Sequence, residues 1–384
     1  MANILLQGGL MKKLIVVLVI AGVVIAQPLF AATITGTAPQ LRVYVGGSWN
    51  TIDVSTEFNQ AILDANAELA KYDDQDKLAT GFANANMYST NAATQQGYPN
   101  YSLFAITTGV MVGAQAPTTN VDYYTNGKIE DDIENKGDLY AGVAGSAAVN
   151  VGINAGMIIP GLYINVKFGK FDSTWVYDDD DFSFDTMIIG GGITYSLFDE
   201  AGTGLLRWRG LTIGTGLVYQ TTDVSYRVDL DSKTDSFTVD PGTGTDVTGS
   251  VVVDPSFDIT LDMYTLSVPF EINTALQFLW LFNINLGVGI DLVSGNADLE
   301  LQSVSDATVK NIAYGGTPLP ENEYIVTPGK VTIDGKTLDK KPSWARARIM
   351  TGIGLNFGAV KIDVPIIYYL KSGAAVGVTA GIIW

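Results

Sequence analysis

Charged side chains set between apolar neighbours are the residues of this sequence best placed to do chemistry. Lys167, Asp291, Arg346, Arg348, Lys361 and Asp363 all have this setting. Such charges can pair with one another, Asp291 with Arg346 or Arg348 and Lys361 with the neighbours of Asp363, which satisfies groups taken out of water. Alternatively, they can line an aqueous path and set which solutes pass. A second group is acidic: Asp178, Asp179, Asp180 and Asp181 in one run, and Asp229, Asp231 and Asp235 in another. Calcium takes several carboxylate oxygens at once. Neither run has the glycine or the terminal glutamate of a calcium loop, so the expectation is solvated acidity, with no metal and no other cofactor.

Composition removes much other chemistry. The chain has no histidine and no cysteine, which excludes serine–histidine triads, thiol chemistry and nearly all zinc sites. Gly190, Gly191 and Gly192 fall inside an apolar run rather than between a strand and a helix, so they are not a phosphate loop. No carboxylate pair stands out for glycoside hydrolysis. An enzyme is not expected. Most of the formal net charge of −18 lies in the connectors 115–146, 170–185, 227–256 and 293–343. That acidity argues against nucleic acid as a partner.

The elements that would position these groups are strands. From Tyr101 onward ten runs alternate with connectors: Tyr101–Ala114, Ala147–Ile159, Leu162–Gly169, Ser183–Phe198, Leu205–Tyr226, Phe257–Ile272, Phe278–Leu292, Trp344–Phe357, Val360–Leu370 and Ala374–Trp384. Short links (160–161, 199–204, 273–277, 358–359) interleave with long ones (115–146, 170–182, 227–256, 293–343), and only the short final link 371–373 breaks the rule. Strand side chains alternate with a period of two. Phe282, Ile284, Leu286, Val288 and Ile290 thus share one face, while Asn283, Asn285, Gly287, Gly289 and Asp291 share the other. Likewise Ile349, Ile353 and Phe357 oppose Trp344, Arg346, Arg348 and Asn356. A soluble sandwich would turn its apolar face inward and its charges out. Here the second face is glycine, asparagine and a few charges, which suits a polar lumen. Glu323–Asp334 alternates well enough to add a hairpin, so twelve strands is the alternative count.

The last run, Ala374–Trp384, is one apolar stripe ending on an aromatic residue. It resembles the closing strand of bacterial outer-membrane β-barrels. The resemblance implies an all-β transmembrane antiparallel barrel in the outer membrane of a diderm bacterium, with lipid around it. It also implies that the strand ending at Trp384 is the signal read by the barrel-assembly machinery. The other end agrees. Met11-Lys12-Lys13, the apolar run Leu14–Ala26 and the small residues Ala31-Ala32 read as a signal peptide cleaved after Ala31. The expected organisation is therefore 1–31 signal peptide (with a true start possible at Met11), 32–100 an N-terminal segment, and 101–384 the barrel.

Within the N-terminal segment, Leu41–Val45 and Trp49–Val54 flank Gly46-Gly47 as a hairpin would. Glu57–Tyr72 places Phe58, Ala61, Ile62, Ala65, Leu69 and Tyr72 on one helical face. Asn84–Pro99 is small, polar and glutamine-containing, so it reads as loop. The segment can pack on itself in the periplasm or enter the lumen as a plug. This layout resembles the long-chain fatty acid transporter family, whose larger barrels carry an N-terminal hatch. The functional expectation is a channel or transporter for small solutes or hydrophobic compounds. The alternative is a non-conducting structural or surface-binding, adhesin-like barrel.

Overall fold

The structure is a computed structural model in which residues 32–69, 75–94, 101–116, 140–175, 182–203, 205–229, 233–253 and 256–384 are described. The expected signal peptide, most of the connector 115–146, Asp178–Asp181 and Asp231 lie outside these residues. The described chain starts with β1 (Ala32–Thr37), β2 (Gln40–Val45) and β3 (Ser48–Ile52), then helices α1 (Ser55–Leu69) and α2 (Gln75–Ser89). Next come β4 (Phe104–Gln115), β5 (Gly142–Asn154), β6 (Leu162–Asp172), β7 (Phe182–Phe198), β8 (Ala201–Thr203) and β9 (Leu206–Asp229). The strands β10 (Lys233–Val239), β11 (Val247–Val253), β12 (Ser256–Phe278) and β13 (Phe282–Tyr314) follow. The chain ends with β14 (Thr317–Pro318), β15 (Tyr324–Thr327), β16 (Gly329–Lys340), β17 (Ala345–Phe357), β18 (Val360–Tyr369) and β19 (Gly373–Ile383).

Ten of these strands close a ring in the order β4-β5-β6-β7-β9-β12-β13-β17-β18-β19. The terminal strand pairs antiparallel with β4 from Gly373 opposite Gln115 to Ile383 opposite Ala105. Closure pairs every backbone group between neighbours, which is why a sheet can cross a membrane only as a barrel. The fold is an all-β transmembrane barrel, as the alternation indicates. Its outer face carries Phe282, Ile284, Leu286, Val288 and Ile290, while Asn283, Asn285 and Asp291 are buried inside. Aromatic residues border the apolar band at both ends. Trp280, Phe357 and Trp384 are exposed at the short-turn end, and Tyr264 and Trp344 towards the other.

Several strand ends differ from the sequence reading. The short link after β12 is not 273–277 but Leu279, Trp280 and Leu281. Leu279 and Trp280 both have φ near +50°, and the Leu281 N–H donates to Phe278 O at 3.1 Å. Two successive positive φ angles in a hairpin turn normally call for Asn-Gly, so this sequence carries no turn signal. The link after β5 is 155–161, where Asn154 Oδ1 accepts from the Gly156 N–H at 2.7 Å and turns the chain early. Trp344 is exposed and precedes β17 rather than facing inward.

The connectors 227–256 and 293–343 are largely sheet rather than loop. The 33-residue β13 pairs with β17 only from Phe282 to Leu292. Beyond the ring it takes β16 as partner over Ala297–Ala307, and then β11. Glu323–Asp334 supplies β15 and part of β16, but neither joins the ring, so the count stays at ten rather than twelve. The N-terminal strand β1 pairs with β16, and β2 and β3 form a separate sheet with β15. Leu41, Val43, Ile52 and Phe58 share a buried core there with Phe237, Val247 and Val309. The hairpin about Gly46-Gly47 forms as read, while residues 32–69 sit on this extension rather than in the lumen. The first helix runs Ser55–Leu69, close to the expected 57–72.

Candidate functional site

The C-terminal end of the second helix and the turn after it enter the barrel lumen. Its side chains, its Ser89 carbonyl and the turn after it hydrogen-bond to β4, β5, β6, β9, β12, β17 and β18, seven strands around the ring. A helix at the rim could not touch all of them. Its sequence, QDKLATGFANANMYS, lacks β-branched bulk apart from Thr80, and glycine pairs let it approach the wall. A Cβ on Gly142 of β5 would lie 2.4 Å from the Gly81 carbonyl carbon, and one on Gly113 of β4 would lie 2.5 Å from Ala85 O.

Asn84–Ser89 was expected to be loop, and the structure makes it the last part of α2. Asparagine is a poor helix former because its amide competes for backbone partners. In the lumen each amide has a wall partner instead. Asn84 Nδ2 donates to Tyr140 Oη at 2.5 Å. Asn86 Nδ2 donates to Thr265 Oγ1 at 3.0 Å, and its Oδ1 accepts from Gln220 Nε2 at 2.7 Å and Thr222 Oγ1 at 2.8 Å. Tyr88 stacks on Tyr369 with ring centroids 3.9 Å apart.

Two of the expected lumen cations hold the turn that follows α2. Lys167 is buried and donates to Thr90 O at 3.0 Å and Thr94 Oγ1 at 2.9 Å. Arg348, 2% exposed, donates to Asn91 Oδ1 at 2.7 Å and to Glu271 Oε2 at 2.9 Å. It also lies 3.3 Å from Asp291 Oδ1. Of the two arginines offered for Asp291, the ion contact is therefore with Arg348. Arg346 instead donates to Tyr140 Oη at 3.2 Å and to Ser343 Oγ. Lys361 and Asp363 face inward towards the short-turn end, opposite Asn356 and Gly354 respectively, and apart from the Arg348 cluster.

Glu271 was missed, although it has the same signature as Asp291: a lone carboxylate between two lipid-facing residues, Phe270 and Ile272. Asn91, Gln220 and Tyr369 carry no comparable local signal. Beside the turn the lumen keeps a cavity of ≈100 Å³ lined by Asn150, Asn165, Lys167, Thr212, Glu271 and Asn273. Of the acidic residues considered for calcium, Asp235 lies in β10 opposite Val251. Among the described residues no group of three or more metal-ligating side chains comes together.

The Lsa36-like family model matches residues 31–384. The chain belongs to the Lsa36-like family. No curated protein matches it. Among solved structures it is similar to the translocator domain of autotransporter NalP from Neisseria meningitidis, at 9% identity over 86% of this chain and 98% of that one, TM-score 0.28. It is also similar to a Pseudomonas aeruginosa FadL homologue (8%, 79% and 98%, TM-score 0.24). The Pseudomonas putida toluene transporter TodX is a third (8%, 78% and 97%, TM-score 0.22). Scores this low carry no structural inference, and the ten-strand closure stands on the strand pairing itself.

Just beyond the apolar band, at the end with the long connectors, the register aligns Asp172, Asp185, Asp223, Asp262 and Asp298 directly opposite one another. Like charges so paired destabilise a sheet. Partial burial by the neighbouring strands, then Asp262 and Asp185, raise the Asp223 pKa above the usual carboxylate range. Burial, then Asp298 and Glu300, do the same to Asp262. A carboxylate raised in the native state adds stability below its unfolded pKa, and that contribution is lost as pH rises through the native value. Asp262→Asn is therefore expected to raise the thermal midpoint of the barrel on heat-modifiability gels at pH 7.5. The gain should vanish once pH falls below ~4, where the native Asp262, its pKa raised, is protonated too. An equal gain at both pH values would refute charge repulsion as the cause.

Proposed function

We propose that this chain is an outer-membrane barrel that passes small polar solutes when residues 85–94 shift from the lumen. The observation that carries this reading is the polarity of the seal. The lumen wall offers asparagine, threonine and glutamine to α2, and the turn after it is held by Lys167 and Arg348. A hydrogen bond lost to water costs little net free energy, about 0.5–1.5 kcal/mol each, so a plug held this way can exchange its partners for water in a wet lumen. The same polarity favours small hydrophilic solutes over hydrophobic compounds.

Insertion is expected through the barrel-assembly machinery, with β19 as the recognised strand. The residue that follows it, Trp384, is 62% exposed and hydrogen-bonds Leu103 and Phe104 across the seam through its main chain. No catalytic step is part of this reading.

Planar-bilayer recording tests it. The purified full chain is expected to show a low, mostly closed conductance, and Lys167→Met combined with Asn91→Ala is expected to raise the open fraction about tenfold. Silence from both proteins, with intact barrels on gels, would overturn the channel reading. The second reading, a surface-binding barrel, would then gain. One observation favours it: an exposed patch on β2 and β3 where Tyr44 and Trp49 lie 5.5 Å apart and Arg42 sits 5.7 Å over the Trp49 ring. Tyr, Trp and Arg are the residues most enriched at binding hot spots.

A further inference from the structure

We infer that the chain is threaded through its own barrel, so that the barrel carries its N-terminal segment across the membrane and displays it at the mouth opposite the short turns. The path is read from partners along the chain. Residues 32–37 pair with Gly335–Lys330 of β16, which is itself bonded to the part of β13 that has left the ring. Leu78 and Phe82 pack in the same extension, with Phe182, Leu261 and Leu299. Asn84 lies at the rim, where its Oδ1 accepts from the Ser343 N–H, two residues before β17 begins.

Further along, Tyr88 meets Tyr369, the last residue of β18 at that same end. The path then descends. Ala93 O accepts from Thr107 Oγ1 within β4 at 2.8 Å. Tyr101 packs its ring 4.8 Å from that of Tyr163, beside the short β5–β6 turn. Between Asn84 and Tyr101 the chain therefore passes from one mouth of the ring to the other.

An even-stranded barrel starts and ends at the same mouth. Here β4 starts and β19 ends with the short turns, so a segment ahead of β4 would by default stay on that side. Threading places it on the other. The core of the extension also needs it there. Leu41, Val43, Ile52, Val54 and Phe58 come from the N-terminal segment, and their partners Phe237, Val247, Val251 and Val309 come from the connectors between barrel strands. Burial of these apolar side chains on the far side favours completed passage. Where the helix enters the ring, Gly113 and Gly373 leave room for Ala85, Tyr88 and Ser89 against the wall.

The direction of export, though not the threading, rests on the outer-membrane orientation proposed above, in which short turns are periplasmic. Because the chain has no cysteine, three full-length single-cysteine variants at exposed positions test both: Ser48→Cys, Thr243→Cys in the β10–β11 connector, and Met157→Cys in a short turn. Each is expressed in a diderm host and treated with a membrane-impermeant maleimide. The expected result is labelling of positions 48 and 243 on intact cells, and of 157 only after the outer membrane is permeabilised. Heat-modifiable migration of each variant confirms a folded barrel. If position 48 follows 157 instead of 243, the threading is wrong. If 48 and 243 are both protected while 157 labels, the threading holds and the proposed orientation and outward display fall.

Discussion

Replacing Gly142 by leucine is expected to open the barrel. The first side-chain atom at this position would lie 2.4 Å from both the Gly81 carbonyl carbon and the Phe82 nitrogen. Both are backbone atoms of α2, so no rotamer change relieves the contact. The wall cannot retreat easily, because β5 is hydrogen-bonded to β4 along twelve register pairs, from Phe104 opposite Ile153 to Gln115 opposite Gly142. The helix, held laterally by side-chain contacts, is the part that gives way. Overpacking costs about 1–3 kcal/mol, which corresponds to a ~5–150-fold shift in a two-state population. The open fraction in planar bilayers is expected to rise by at least the lower figure, with heat-modifiable migration preserved. Met157→Leu, at a fully exposed position in a short turn, is the control and is expected to leave conductance unchanged. Unaltered conductance of Gly142→Leu in an intact barrel would show that α2 is not the seal.

Arg348→Met is expected to be among the most destabilising single substitutions in the lumen. Arg348 is the cation that Glu271 at 2.9 Å and Asp291 at 3.3 Å both contact, and its side chain is fully buried. Removing one partner of a buried ion pair costs about 3–5 kcal/mol because the remaining charge is left uncompensated. Here two carboxylates would remain, together with an Asn91 amide that has lost its donor. The thermal midpoint on gels is expected to fall, and the plug to loosen with it. The triple variant Arg348→Met, Glu271→Gln, Asp291→Asn is expected to recover most of the loss by removing the orphaned charges. Arg346→Met, two residues away and bonded to neutral Tyr140 and Ser343, is expected to cost far less. Equal midpoints for the single and triple variants would mean that charge compensation is not what Arg348 provides.

The sequence by itself determined the barrel. A strand's two faces are set by a local period of two, so the lipid-facing Phe282–Ile290 series and the inward Asn283, Asn285 and Asp291 could be read without any tertiary information. The ten-strand count followed from the same local pattern, because closure requires the runs to pair in order. What the sequence could not show were features whose cause lies in a distant partner. The Leu279-Trp280 turn has no glycine, proline or asparagine, and its positive φ angles are imposed by the strands it joins. Asparagines 84 and 86 read as loop because nothing nearby reveals Tyr140, Thr265 or Gln220 waiting across the lumen. The choice of Arg348 over Arg346 for Asp291 depended on which side chain reached past the pleat to Glu271 and Asn91. Only the tertiary structure decided that residues 85–94 enter the lumen while the chain before them packs on the sheet beyond it. Strand periodicity orders neighbours, whereas the occupant of a closed ring is selected by the shape and hydrogen-bonding groups of the whole wall at once.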